Sequence, residues 1–183
     1  MNNKLVVALL SALLPSTVFA HNLTIGEPLP HVAIVDKGEI TLNKETLTYQ
    51  PWDSASLAGK TRVIQAIAGR SAAKAMNAEL MTAITAAQFP AEQYQTTTII
   101  NQDDTIWGTG SFVKSSAEDS KREFSWSAMV LDANGVAQSK WQLAKESSAI
   151  IILDKAGKVR FIQEGKLPPE AIQQALNTIK EHL

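Results

Sequence analysis

Residues 61–80 read Thr-Arg-Val-Ile-Gln-Ala-Ile-Ala-Gly-Arg-Ser-Ala-Ala-Lys-Ala-Met-Asn-Ala-Glu-Leu, an apolar run that passes through Gly-Arg-Ser into helical spacing. The run at 62–68 suits a central strand buried on both faces. A buried strand feeding a helix belongs to a sheet covered by helices, which places the chain in the α/β class. In many folds of that class the junction carries the chemistry, because N–H groups at the helix start point outward and favour negative charge. Here the junction holds Gly69, Arg70 and Ser71, with no Cys, Asp or His.

The chain has 183 residues, enough for one domain with a real core. Its first 20 residues read as a secretory signal: Lys4, an apolar run at 5–14, Pro15, then Val18-Phe19-Ala20, with cleavage expected after Ala20. The apolar run is short for a bilayer span and no later stretch is longer, so no membrane span is expected after cleavage. Of 17 basic residues only Lys4 falls in the signal, so 16 face 18 acidic ones in the mature chain. These charges are scattered rather than clustered, which argues against nucleic-acid binding. Cysteine is absent. Disulfides, Cys-ligated zinc and thiol catalysis are excluded with it.

Hydrophobic period sets out the elements. Residues 21–30, with Gly26, Pro28 and Pro30, read as an extended leading segment. Two β-rich runs within 32–42 flank Lys37-Gly38 in the pattern of a hairpin. Residues 48–60 read as a loop anchored inward by Leu57, with Pro51, Trp52 and Gly59. Ser71 is placed as N-cap of a helix whose Met76, Leu80, Ile84 and Ala87 share one face and which Pro90 ends. A β-branched strand at 96–100 empties into a loop at 101–111. An exposed helix follows at 112–124, then a strand at 126–132 and a turn at 132–135. Strands at 149–154 and 158–164 flank a turn at 155–157, and Pro168-Pro169 opens a last helix carrying Ile172, Ala175, Leu176, Ile179 and Leu183.

This order of elements resembles a known group. Gly26, Pro28 and Pro30, the Leu57-x-Gly59-Lys60 before the first central strand, and Ile-Leu-Asp-Lys-x-Gly-Lys-Val at 152–159 resemble thioredoxin-like proteins. More closely, Asp-Asp-Thr-Ile-Trp-Gly-Thr-Gly-Ser-Phe-Val at 103–113, Trp141-Gln142-Leu143 and Ser-Ser-Ala-Ile-Ile at 147–151 resemble the YtfJ family of exported bacterial proteins. The resemblance implies a thioredoxin-like mixed β-sheet flanked by helices, with an N-terminal β-hairpin extension, and a periplasmic location. It would place the reactive cysteine of working thioredoxins near 69–73 and their cis-proline just before Ala149. Those places hold Arg70, Ser71 and Ser148.

Ser71 and Lys74 match Ser-x-x-Lys, which in penicillin-recognising enzymes sets a nucleophile one turn from a lysine. The partner motifs Ser-Asp-Asn and Lys-Thr-Gly are missing, and the plain reading is a helix cap and a solvated lysine. Gly69, Arg70 and Ser71 at the helix start form a candidate anion or ligand site. After cleavage His21 would carry both an α-amine and an imidazole, a start towards copper binding with His31 or His182. All three read as surface histidines, and Asp103-Asp104 as a solvated turn, so no metal or cofactor is expected.

Trp107, flanked by Gly108, Thr109 and Gly110, sets a large amphipathic ring on a flexible backbone, with Trp126 and Trp141 as candidate neighbours. Aromatics grouped on a surface mark interfaces; rings in the core do not. Two functions follow from different classes. The first is a non-catalytic, exported module that binds a periplasmic protein or small ligand through the 69–73 and 107–111 loops. The second is a serine-dependent hydrolase using Ser71 and Lys74.

Overall fold

The computed structural model describes residues 21–183, and the expected signal lies outside them. Strand β3 (Thr61–Ala68) is buried along its whole length. Its neighbours cover both edges, β4 (Tyr94–Asn101) in parallel and β6 (Ser148–Leu153) antiparallel. β5 (Ala128–Asp132) pairs in parallel with β4, and β7 (Val159–Glu164) forms the expected hairpin with β6. On the other side β1 (Ala33–Asn43) joins β5 and carries β2 (Thr46–Asp53) as the outer edge. The sheet therefore runs β2-β1-β5-β4-β3-β6-β7, a mixed sheet with the N-terminal hairpin added at one end.

Five helices of the described chain cover this sheet: α1 (Ser71–Met76), α2 (Ala78–Ala87), α3 (Gly110–Glu123), α4 (Val136–Trp141) and α5 (Pro169–His182). Alternation along the strands sends side chains to two faces. On one face Ile64, Ile99, Val130, Ile151 and Leu153 pack with Trp141 of α4 and with Leu23 of the leading segment. That segment, expected to be extended, is interrupted by a turn at Ile25 and Gly26, where the Glu27 N–H donates to the Thr24 carbonyl at 3.2 Å. Gly26 then donates to the Val159 carbonyl at 2.8 Å and the Val159 N–H to the Glu27 carbonyl at 2.9 Å. The opposite face carries two separate cores. One joins Val63, Ile150 and Ile152 to Leu80 and Ile84 of α2 and to α5. The other joins Ile67, Ile100, Met129 and Leu131 to Ala73 of α1 and Ala117 of α3.

Five further local expectations need correction. Lys37-Gly38 is not the hairpin turn: β1 continues through it with a bulge between Ile34 and Glu39, and the chain reverses at Lys44, whose φ is 55°. Gly38 has φ +76°, and a Cβ there would stand 2.1 Å from the Gln50 carbonyl oxygen, so glycine marks close strand contact instead of reversal. Most of the expected 48–60 loop is consequently strand β2 and a 3₁₀ turn at Ser54–Leu57, although Leu57 is the inward anchor. Ser71 is the first helical residue, not the cap; Arg70 holds that position with extended backbone and no side-chain cap bond. The single helix after Ser71 is two, broken at Asn77, and Ala87 is exposed. The β5 strand begins at Ala128, which leaves Trp126 outside it.

Helix α4 has no counterpart among the expected elements. It is six residues long and begins after the Asp132 turn, where the Asp132 carboxylate accepts from the N–H groups of Val136 at 3.0 Å and Ala137 at 2.8 Å. An aspartate that satisfies orphan N–H groups starts a helix too short to show a period.

Candidate functional site

At the end of β3 the Gly69 N–H donates to the Asn101 carbonyl at 2.8 Å, pinning the start of α1 to the end of β4. A Cβ at Gly69 would lie 2.5 Å from Thr105 Cγ2 and 2.8 Å from Asn101 O. Only glycine permits that approach. Arg70 then turns to the 101–109 loop: its Nη2 and Nε donate to Asp104 Oδ1 at 3.0 and 3.2 Å, and Nη2 also pairs with Glu146 Oε1 at 3.0 Å. The other Asp104 oxygen accepts from the Glu146 N–H at 2.6 Å. Asp104 is thus an internal strut. An anion arriving at Gly69, Arg70 and Ser71 meets a guanidinium already held by two carboxylates.

Ser71 is exposed at the first position of α1. Lys74 does not turn back to it: its Nζ crosses to α3, 3.2 Å from the Ser120 hydroxyl and 3.5 Å from that of Ser116. The sequence pairing of Ser71 with Lys74 is therefore not a nucleophile–base contact in this fold.

Between the two cores on the helix-covered face lies a cleft of about 1150 Å³, walled by α1 and α2 on one side and α3 on the other. It is of the size that holds a ligand. Its floor includes Gln65, Ile67, Thr96, Thr98 and Ile100. The Thr96 hydroxyl meets the Tyr94 phenol at 2.6 Å, and burial pushes that phenol up to about 12, so it stays protonated. Gln65 and Thr98, 6% and 9% exposed, make no side-chain hydrogen bond to the described residues. Ile106, Phe112 and Trp126 border the cleft and are all exposed.

Trp107 stands beside this rim, 98% exposed. A tight turn presents it, with the Thr109 N–H and hydroxyl both donating to the Ile106 carbonyl, at 3.0 and 2.6 Å. The three tryptophans do not converge. Trp126 packs edge-on against Phe124 at 5.6 Å, whereas Trp141 is fully buried on the opposite face and donates to the Pro30 carbonyl at 2.8 Å. His31 is paired with Asp53 at 2.9 Å, and the described residues contain no group of three His, Asp or Glu placed to hold a metal ion.

Sequence reasoning missed Gln65, Thr98 and Phe112. A lone amide inside the apolar 62–68 run was a visible signal for Gln65. Thr98 reads as one of three threonines in a β-branched strand, and only its register beside Gln65 distinguishes it.

The sheet order and its helices define a protein of the thioredoxin-like fold. A thiol-disulfide isomerase of Corynebacterium glutamicum superposes with a TM-score of 0.54 at 17% identity, over 86% of this chain and 96% of that one. A DsbF homologue of Corynebacterium diphtheriae gives 0.58 at 10% identity, over 91% and 95%. Within that fold the chain belongs to the family described as bacterial protein of unknown function, YtfJ_HI0045, which matches residues 23–182. It is 46% identical to the uncharacterized protein YtfJ of Escherichia coli K12, covering 97% of each chain. An uncharacterized protein of Haemophilus influenzae is 43% identical, over 98% of this chain and 97% of that one.

Proposed function

We propose that this protein is an exported, periplasmic binding module without redox or other catalytic activity, which takes a small apolar ligand or partner segment into the cleft between α2 and α3. The carrying observation is the cleft itself, with Ile106, Phe112 and Trp126 exposed along its border. Exposed aromatics grouped around a concavity are characteristic of recognition surfaces, while single exposed apolar residues are ordinary. Gly69, Arg70, Ser71 and Thr109 line this cleft, and Trp107, Gly108 and Gly110 are chain neighbours of that lining, which supports both segments as part of the binding site. Absence of cysteine supports the non-redox part, since the thiolate is the reactive group of the chemistry that the fold otherwise hosts.

The test is binding of Nile red, an uncharged dye that brightens in apolar surroundings, to the mature protein. Saturable binding is expected, and Ala78→Trp, which places a ring at the α2 wall, should abolish it with the fold intact by circular dichroism. Dye binding unaffected by Ala78→Trp would remove the cleft as the site. For the hydrolase reading, a serine-reactive fluorophosphonate should leave Ser71 unlabelled.

A further inference from the structure

Two polar features of the cleft bear on what fills it. The first is the pair Gln65 and Thr98, which stand directly opposite one another on β3 and β4. The same row continues apolar on both sides, with Ile150 of β6 next to Gln65 and Met129 of β5 next to Thr98. Both polar side chains are more than nine-tenths buried, line the cleft and lack a hydrogen-bond partner among the described residues. Their amide and hydroxyl are not sealed from solvent but face the open cleft side by side, where a polar group of a ligand can reach both.

The second feature is Lys74, which enters the same cleft from α1. Among the described residues it meets only the neutral hydroxyls of Ser116 and Ser120. Arg70, four residues earlier, is matched by Asp104 and Glu146. The cleft thus holds one uncompensated cation. An ammonium, a carboxamide and hydroxyls can all donate, and a carboxylate accepts only. The walls beyond are long and largely apolar: α2 and α3, ten and fourteen residues, extend about 15 and 21 Å.

We propose that the natural occupant is a long-chain carboxylic acid of the fatty-acid type. Its carboxylate lies between Lys74 on the helix wall and the Gln65–Thr98 pair on the floor, and its hydrocarbon chain runs between α2 and α3 along Met81, Ile84 and Trp126. This assignment rests on the cleft being a ligand site and adds the charge and shape of what fills it.

The experiment is displacement of Nile red from delipidated mature protein by oleate below its micelle concentration, with oleyl alcohol and palmitoyl-lysophosphatidylcholine alongside. Oleate should displace the dye at least about tenfold more effectively than the alcohol, the weight of one charge-assisted contact. Lys74→Met should remove that advantage, so that oleate and oleyl alcohol displace the dye equally. Gln65→Leu with Thr98→Val should weaken oleate without lowering the midpoint of thermal unfolding, which a purely structural pair would lower. Equal displacement by oleate and alcohol, preference for the lysophospholipid, or an unaltered oleate advantage in Lys74→Met each overturns the proposal. Dye bound but not displaced by oleate would overturn the acid and keep the cleft; no binding of either would overturn both.

Discussion

Asn77 ties three segments of the chain together through Ser148: its amide nitrogen donates to the Ser148 hydroxyl and to the Gly165 carbonyl, each at 3.0 Å, and its amide oxygen accepts from the Leu167 N–H at 3.0 Å. Ser148 opens β6, and Gly165 and Leu167 join β7 to α5. Asn77 sits where α1 gives way to α2, and it is buried. Its outward bonds replace the helical continuity that Met76 and Leu80 would otherwise share. Asn77→Ala should therefore cost about 2–4 kcal/mol in urea unfolding, since it leaves several buried groups unpaired. A cost below about 0.5 kcal/mol, the size of an ordinary surface change, would show that the break has another cause.

Gly69 offers a test of the junction. A methyl group there runs into Thr105 Cγ2 at 2.5 Å and the Asn101 carbonyl at 2.8 Å. Gly69→Ala should push the 101–109 loop away from α1 and lower stability by about 1–3 kcal/mol. Amide shifts in a ¹H–¹⁵N spectrum should spread from residue 69 to Asp104 and Glu146 through Arg70. Shifts confined to the immediate neighbours of residue 69 would contradict the coupling.

The turn between β6 and β7 carries a pH dependence. Asp154 Oδ1 accepts from the N–H groups of Ala156 at 2.9 Å and Lys158 at 3.0 Å, and Oδ2 accepts from Arg160 Nε at 2.8 Å. Burial by itself would raise this carboxyl, but the Lys158 N–H, the Arg160 guanidinium and the Ala156 N–H together hold it below its ordinary 3.8. A carboxyl lowered by folding contributes stability that is complete above the unfolded value and is lost as pH falls through the folded one. Asp154→Asn should thus be less stable than wild type by about 1–3 kcal/mol at pH 7. The gap should narrow as acid is added below about pH 4. A gap independent of pH would show that the charge is not responsible.

Trp107 separates binding from folding. Almost the whole ring is in solvent, so Trp107→Ala should change stability by less than about 0.5 kcal/mol. Capture of a partner from a periplasmic extract, or ligand binding in the cleft, should weaken if the ring is a recognition element. Wild-type behaviour in both assays would leave Phe112 and Trp126 as the working aromatics of the rim.

Much of the architecture was legible in the sequence where periodicity is strong. β3 announces itself as an apolar run, β6 and β7 as a hairpin around Gly157, and α5 by Pro169 followed by Ile172, Ala175 and Ile179. Gly38 misled because a glycine that permits close strand contact looks like one that reverses the chain. Asn77 misled because helical spacing continues on both sides of it, while its partners lie 71 to 90 positions away. The cleft was hidden for a related reason. Its width depends on how far α2 and α3 stand apart across the sheet, and its polar floor depends on a register that brings Gln65 beside Thr98.

The hairpin at the edge of the sheet also bears on the order of events as the chain is made. β1 and β2 pair locally, but their attachment to the sheet rests on Gly38 and Glu39 meeting Leu131 and Val130, roughly ninety positions later. That seam closes only after most of the domain has emerged. Until then the first strands synthesised expose an open edge, and the interval before β5 arrives is when pairing with another chain competes with native folding.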